Sequence, residues 1–289
     1  MQRAIAENKR NTAIIMAVFV GIIGAIGWIV ASINGNTSMM YGIIAAAGAY
    51  AFAQYFFADK LALMATGAKP ITQQDNPRLY DMIADLARRT NSPMPKVYMI
   101  DDPAPNAFAT GRDPKHAVVA ATTGIMEVMD DRQLKAVLAH EMGHVRNYDI
   151  RVMMIAFGLV SVIGILSDFA LRMFIWGRDS DEEVNPLALA IGGVLVVAAP
   201  FVAMLIQLAI SRQREYLADA TGAETTHDPE GLAQALQKLL EFGRPLQRQS
   251  STTAHLFISN PLRAGVVAKL FSTHPPLELR IARLRGESK

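Results

Sequence analysis

The sequence predicts a mainly α-helical integral membrane protein with four transmembrane helices and a cytosolic domain that contains a small β-sheet. Hydrophobic residues make up 51% of the 289 residues and charged residues 19%, and the charged share is below the usual quarter of soluble domains. The apolar residues are concentrated in stretches that reach the roughly 20 residues needed to cross a bilayer. Short strand-like segments and capped helices lie between these stretches and after them.

The predicted spans are four long apolar stretches. They cover residues 12–34, 38–58, 152–176 and 187–210. Only the third contains charges, Asp168 and Arg172, which are four residues apart and are better explained by an i, i+4 ion pair than by a functional site. The first stretch is longer than the apolar core of a signal peptide, so we expect an uncleaved anchor.

The charges beside the spans predict the orientation of the chain. Arg3, Lys9 and Arg10 precede the first span, and Arg212 and Arg214 follow the fourth. The positive-inside rule therefore places both termini in the cytosol. We expect four segments: a transmembrane hairpin over 1–58, a cytosolic part over 59–151, a second hairpin over 152–210 and a second cytosolic part over 211–289.

Composition also excludes some classes of protein. The chain has no cysteine, so disulfides and thiolate metal ligands are ruled out, which is compatible with a reducing cytosolic domain. The net charge of +2 is too small to indicate a nucleic acid partner.

The cytosolic segments show helix and strand signals in the following order. Asn76-Pro77 is typical of a helix start, and so is Asp228-Pro229, whose helix should end at Gly243. Apolar runs predict short strands, and a turn at Gly111-Arg112-Asp113-Pro114 should separate the last two. The predicted strands cover residues 96–100, 106–111 and 116–122, and further helices cover about 131–148 and 276–285.

The helix predicted at 131–148 contains His140-Glu141-Met142-Gly143-His144. Residues four apart lie on one face of a helix, so the two imidazoles could bind one zinc ion while the glutamate transfers a proton. The alternative is an amphipathic helix that carries two histidines by chance. The nearby charges Arg132, Lys135, Arg146, Asp149 and Arg151 would be costly in hydrocarbon, so the helix should lie outside the bilayer.

A catalytic zinc ion usually takes a third protein ligand. The position six residues after His144 is Ile150, which excludes the three-histidine metzincin pattern. Glu215 is the best candidate, because two predicted crossings separate it from the histidines and return it to the same membrane face. Asp219, one helical turn later, could accept the free ring N–H of a ligand histidine. A solvated acidic helix face is the alternative, and weaker candidate ligands are His116, His227, His255 and His274.

Four motifs together resemble one known family. They are the pentapeptide at 140–144, Ser-Arg-x-x-Glu-Tyr-x-Ala-Asp at 211–219, Asn-Ala-Phe-Ala-Thr-Gly at 106–111 and Ser-Thr-His-Pro-Pro at 272–276. Across nearly its whole length the chain resembles the HtpX-type heat-shock integral membrane zinc metallopeptidases, which are related to the CAAX prenyl proteases. The resemblance implies a gluzincin-like zinc protease domain.

The resemblance also implies roles for individual residues. His140, His144 and Glu215 would bind one Zn²⁺ per chain, and Glu141 would be the catalytic base. His274 would lie near the active site, either stabilising the oxyanion or only anchoring the last helix. Asn106, Ala107, Phe108, Ala109 and Thr110 would form an edge strand that binds an extended substrate, although an ordinary strand and turn would have the same sequence.

The resulting expectation is a zinc endopeptidase in the bacterial inner membrane, with its active site at the cytosolic surface. By resemblance, it would act in stress response and quality control by cleaving misfolded or damaged membrane proteins. The alternatives are a processing protease with one defined membrane-associated substrate and a non-catalytic zinc-binding scaffold. The expected partners are polypeptide substrates and the lipid bilayer.

Overall fold

The computed structural model describes residues 2–34, 37–155, 193, 212–248, 256–259 and 275–287. The chain divides into two compact units. The first, called the site unit here, comprises Met1–Lys9, Asp59–Met154 and Ile210–Lys289, and the second, called the helical unit, comprises Arg10–Ala58 and Ile155–Ala209.

Two long helices supply the described part of the helical unit. Helix α1 spans Gln2–Asn34 and helix α2 spans Thr37–Thr66. Ile15 and Phe19 are fully buried, and the Phe19 ring lies 6.2 Å from the ring of Tyr50. Large apolar side chains elsewhere on this unit are exposed, namely Trp28, Tyr41, Phe52 and Phe57.

Within the described residues, one helical stretch is long and apolar enough to cross a membrane. It is Tyr41–Thr66, with a mean hydropathy of 1.2 over its best window, and it overlaps the predicted second span. The predicted first span lies within α1. The third and fourth predicted spans lie outside the described residues except for 152–155 and 193, and so do Asp168 and Arg172.

A four-stranded sheet forms one side of the site unit. Strand β2 pairs with β1 in antiparallel and with β4 in parallel, and β4 pairs with β3 in antiparallel, so the order is β1-β2-β4-β3. The strands are β1 Lys69–Pro70, β2 Lys96–Ile100, β3 Ala107–Thr110 and β4 Val118–Thr122.

The predicted strands are confirmed with one correction, at the start of the third. Pro114–His116 form a 3₁₀ turn instead of strand. The Asp113 carboxylate accepts hydrogen bonds from the backbone N–H groups of Lys115 and His116, which holds the chain in a turn until Val118. Gly111, at φ 128°, turns the chain out of β3 in a conformation that favours glycine.

Six further helices complete the described part of the site unit. The predicted caps are confirmed: the side chain of Asn76 accepts from Leu79 N at 3.0 Å, and that of Asp228 accepts from Gly231 N at 2.9 Å. The helices are α3 Pro77–Arg89, α4 Thr123–Val128, α5 Asp131–Arg146, α6 Arg212–Thr226, α7 Pro229–Phe242 and α8 Leu277–Leu284.

Helix α5 ends earlier than the predicted residue 148. It stops at Arg146, and Tyr148 adopts a φ of 62°, a left-handed conformation that a continuous helix cannot contain. Residues 149–155 are helical again in a new direction. This break brings Asp149 back toward the last turn of α5.

Helix α5 lies at the centre of the site unit and is buried along most of its length. It packs against β3 and β4 and against three helices, α3, α6 and α7. The contact with α6 is unusually close because both helices carry glycine there. A Cβ atom at Gly222 would lie 2.9 Å from the backbone N of His140, and one at Gly143 would lie 3.3 Å from Ala218 Cα. These glycines allow α6 to bring its side chains next to the histidines of α5.

Gly222→Ala should destabilise the protein, because the added methyl group would collide with the backbone of α5. We expect the free energy of unfolding to fall by about 1–3 kcal/mol, the usual cost of overpacking, measured by denaturation of the purified full-length protein in detergent. Gly42→Ala on α2, where an added Cβ has no neighbour within 4 Å, is the matched control and should not destabilise. Equal stability of Gly222→Ala and the wild type would contradict the close helix contact.

Candidate metal centre

Two helices bring together a cluster of three potential metal ligands. Helix α5 supplies His140 and His144, and α6 supplies Glu215. Their ligand atoms all lie within 4.8 Å of one another, and all three residues are buried. The two Nε2 atoms are 3.2 Å apart, and the Glu215 oxygens lie 3.4 Å from His144 Nε2 and 3.8 Å from His140 Nε2.

Each histidine of the cluster is oriented by a carboxylate on its other ring nitrogen. Asp219 Oδ1 lies 2.9 Å from His140 Nδ1, and Asp149 Oδ2 lies 2.9 Å from His144 Nδ1. A carboxylate that accepts the Nδ1–H fixes the tautomer whose Nε2 lone pair can bind a metal. With a carboxylate as the third donor, the cluster fits the ligand preferences of a divalent transition metal.

The two histidines differ in their affinity for a proton. Burial, reinforced by the charge of Arg280, lowers the pKa of His140 to about 4. Burial also opposes a charge on His144, but the carboxylates of Glu215 and Asp149 outweigh it and raise its pKa to about 9. A histidine that binds a metal must be neutral, so a metal that binds at neutral pH has to displace the proton of His144.

Glu141, between the two histidines in sequence, is buried beside the cluster. Burial raises its pKa to about 8; the nearby charge of His144 lowers it, the charge of Glu215 raises it, and a hydrogen bond with the backbone of Ala109 lowers it. A carboxyl group with a pKa close to neutral can both accept and return a proton at physiological pH. Helix α5, which carries Glu141, packs against strand β3.

Arg280 of α8 joins the cluster and was not predicted from the sequence. It is fully buried, and its guanidinium donates to both oxygens of Asp219, at 2.6 and 2.9 Å. Its Nη1 lies 3.4 Å from Glu215 Oε2, and its Nη2 lies 3.3 Å from His140 Nε2. One sequence signal could have identified it: Arg280 lies on the same helix face as Leu277 and Leu284. A charged residue on an apolar helix face is buried only together with a partner.

Asp149 was interpreted in the sequence only as a charge that keeps α5 out of the bilayer, and its main role was missed. It is fully buried. Besides its contact with His144, it accepts a hydrogen bond from the side-chain amide of Asn8 at 2.7 Å. The amide of Asn8 also donates to the backbone O of Asn147 at 2.8 Å, and Asn8 Oδ1 accepts from Arg214 Nη1 at 3.2 Å. The first residues of the chain therefore help to hold a carboxylate that orients His144.

The remaining candidate residues lie elsewhere. Asn106 and all residues of β3 are buried, and β3 packs against helix α5. His116 bonds to Asp113 at the surface, and neither it nor His227 belongs to the cluster. His255 and His274 lie outside the described residues.

The comparisons with known proteins indicate a peptidase. A family model described as Peptidase family M48 matches residues 73–288. A "Protease HtpX homolog" of Tropheryma whipplei (strain TW08/27) is 54% identical over 285 residues, covering 99% of this chain and 98% of that protein. Another, of Caldanaerobacter subterraneus subsp. tengcongensis, is 42% identical over 292 residues, covering 97% and 96%.

A solved structure has a similar fold. The crystal structure of S. mikatae Ste24p matches with a TM-score of 0.51 and 18% identity. The match covers 94% of this chain but 62% of that one, so the chain spans less than two thirds of its length. At this identity the match supports the fold alone.

Fold, site and relatives together define a metallopeptidase, an enzyme that hydrolyses peptide bonds with the help of a metal ion. The resemblance found from the motifs is confirmed. The chain belongs to peptidase family M48.

Removing the carboxylate behind His144 should weaken metal binding. We expect Asp149→Ala to lower metal affinity about 10–100-fold, the usual effect of losing a partner of a ligand histidine, measured by competition with a chromogenic chelator. Asn8→Ala, which leaves Asp149 in place, should give a smaller loss. Asp131→Ala is the control, since Asp131 is an exposed aspartate of α5 that pairs with Arg78. Unchanged affinity in Asp149→Ala would show that His144 needs no such partner.

Proposed function

We propose that the protein is a zinc-dependent endopeptidase of the bacterial inner membrane that cleaves misfolded or damaged membrane proteins at the cytosolic surface. The buried His140, His144 and Glu215 cluster, with Glu141 on the same helix, carries this proposal. Two histidines and a glutamate are a known ligand set of catalytic zinc in peptidases.

In this proposal the three clustered side chains hold one zinc ion per chain, and Asp219 keeps the His140 ring in position. Bound zinc would polarise the substrate carbonyl and lower the pKa of the attacking water. Arg280 supports this arrangement, because its two hydrogen bonds to Asp219 restrict the carboxylate that orients His140.

Glu141 acts as the general base. Its carboxylate accepts a proton from the attacking water and returns it to the nitrogen of the leaving amine. Support comes from its burial and from a pKa raised to about 8, because a base that must later act as an acid works best when its pKa is near the working pH.

Strand β3 and Asn106 bind the substrate backbone. Asn106 O accepts a hydrogen bond from Thr122 N of β4, whereas Ala107 O accepts one from Ile258 N, on the opposite edge. This alternation gives the outer edge of β3 backbone groups with which an extended peptide can pair. A site that needs an extended backbone favours unfolded segments, which damaged proteins expose.

The membrane part of the proposal comprises the four spans, with both termini and the protease segments in the cytosol. Support comes from the apolar helix Tyr41–Thr66, the exposed Trp28, Tyr41 and Phe52 of the helical unit, and the positive charges beside the predicted spans. His274 is proposed to act close to the cluster, since it precedes by six residues the Arg280 that contacts the cluster.

Glu141→Gln should retain the metal and lose activity. The amide cannot accept the proton, so cleavage of unfolded casein by the zinc-loaded protein should fall about 100–10,000-fold, the usual contribution of a general base. Metal content is measured in parallel and should not change. Glu127→Gln, an exposed glutamate of α4, is the control, and a chelator should abolish cleavage by the wild type. Wild-type activity in Glu141→Gln would refute the assigned role.

The orientation can be tested with single cysteines, since the chain has none of its own. Asp181→Cys, between the third and fourth predicted spans, should react with a membrane-impermeant maleimide in cells whose outer membrane alone is permeabilised. Gln74→Cys, an exposed position of the site unit, should react only after the inner membrane is opened. The reverse pattern would place the protease segments outside the cytosol.

A further inference from the structure

The outer edge of β3 is paired with another segment of the same chain. Residues 256–259, called the capping segment here, have the sequence Leu-Phe-Ile-Ser. Phe257 forms an antiparallel bridge with Phe108, and Ile258 N donates to Ala107 O at 3.0 Å. These are the contacts that a peptide adding to the edge of the sheet would make.

Asn106 extends this pairing by one residue. Its Nδ2 donates to Ser259 O at 2.8 Å, and Ser259 N donates to its Oδ1 at 3.2 Å. One side-chain amide thus binds both backbone groups of a single residue, as a neighbouring strand would. Asn106 is itself fixed, because its backbone N–H and O both bond to Thr122.

The first three side chains of the capping segment are buried apolar groups. The ring of Phe257 lies 5.0 Å from the ring of Phe108 at an interplanar angle of 74°, an edge-to-face contact. Leu256 and Ile258 are also buried. The surface that receives this segment therefore favours large apolar residues. Its hydrogen bonds are to backbone groups, so a peptide of almost any sequence can form them.

The capping segment lies close to the candidate metal centre. Ala107 and Ala109 are two residues apart on β3, so their backbones face the same edge. Ala107 bonds to the capping segment, while helix α5, which carries Glu141, packs against β3. A peptide that pairs with β3 beside Glu141 would compete for the atoms that the capping segment uses.

We propose that residues 256–259 are an internal pseudosubstrate. They occupy the strand edge that the proposed function assigns to substrates and have to leave before an extended peptide can bind. The site then takes peptide segments with an aromatic residue opposite Phe108, followed by a residue with a free backbone N–H. The inference rests on the proposed function only in identifying the edge of β3 as the place where substrates bind.

A tethered competitor of this kind filters substrates by local concentration. A competitor that belongs to the same chain acts at a high effective concentration, about millimolar for tethered binding partners in general. Free peptides at lower concentration compete poorly, whereas a substrate held in the same membrane gains a high local concentration of its own. The pseudosubstrate thus favours membrane-anchored over soluble substrates.

The test uses the full-length zinc-loaded protein in detergent and a fluorescent peptide of residues 253–262, Thr-Ala-His-Leu-Phe-Ile-Ser-Asn-Pro-Leu. Glu141→Gln serves as the background for binding, so that the peptide is not cut. Adding Ile258→Pro to this background removes the N–H that bonds to Ala107 O, and peptide affinity should rise about fivefold, the effect of one lost backbone hydrogen bond in the competitor. A peptide with proline in place of this isoleucine should bind the Ile258→Pro variant no more tightly than it binds the parent protein.

A second variant tests whether the effect of Ile258→Pro comes only from local distortion by the proline. Phe257→Ala should also raise peptide affinity, whereas Phe242→Ala, an exposed phenylalanine at the end of α7, should not. In the otherwise wild-type enzyme, both capping-segment variants should lower the KM for casein and leave kcat unchanged. Thermal unfolding of each variant checks that it is folded.

The outcomes separate this inference from the proposed function. If folded Ile258→Pro and Phe257→Ala bind the peptide no better than their parent, the segment is a permanent part of the sheet and the inference is wrong. Unfolding of both variants would also show that the segment is a permanent part of the sheet, and the inference would again be wrong. Tighter peptide binding without any zinc-dependent cleavage by the wild type would support the pseudosubstrate and refute the proposed protease activity.

Discussion

The site depends on the burial of many charged and titratable side chains in one small volume. Glu141, Asp149, Glu215, Asp219 and Arg280 are all nearly inaccessible to solvent. A buried ion costs several kcal/mol unless a partner compensates for it. The close contact of α5 with α6, and the position of α8 beside them, provide much of that compensation, since Glu215 and Asp219 both lie beside a histidine and Arg280. The packing of these helices and the charges of the site are therefore linked, because a change in either would leave a buried charge without a partner.

The charges of the cluster also suit the exchange of a proton for a metal. Arg280 stays charged beside Asp219 and Glu215, because those carboxylates raise its already high pKa despite burial. His144 carries the exchangeable proton, since Glu215 and Asp149 raise its pKa to about 9 against the effect of burial. Without a metal this proton offsets part of the negative charge. A metal ion that replaced it would compensate for the same carboxylates.

Much of this arrangement follows from local sequence rules. The spacing of His140 and His144, the caps at Asn76 and Asp228, and the pairing of Glu215 with Asp219 depend on residues close together in the chain. Asn8 and the buried partners of Arg280 could not be predicted, because these contacts form only through tertiary packing. Asp149 was missed because the left-handed turn at Tyr148, which brings it to His144, has no clear sequence signal. The third and fourth spans remain predictions.

The contacts of Asn8 and Arg280 set a condition on when the site can exist. Asn8 and Arg280 are far apart in the chain, yet both belong to the hydrogen-bond network around the two histidines. A chain still being synthesised lacks the arginine that pairs with Asp219 and Glu215 until residue 280 has been added. The network around the histidines is therefore incomplete in any nascent copy that stops before this residue.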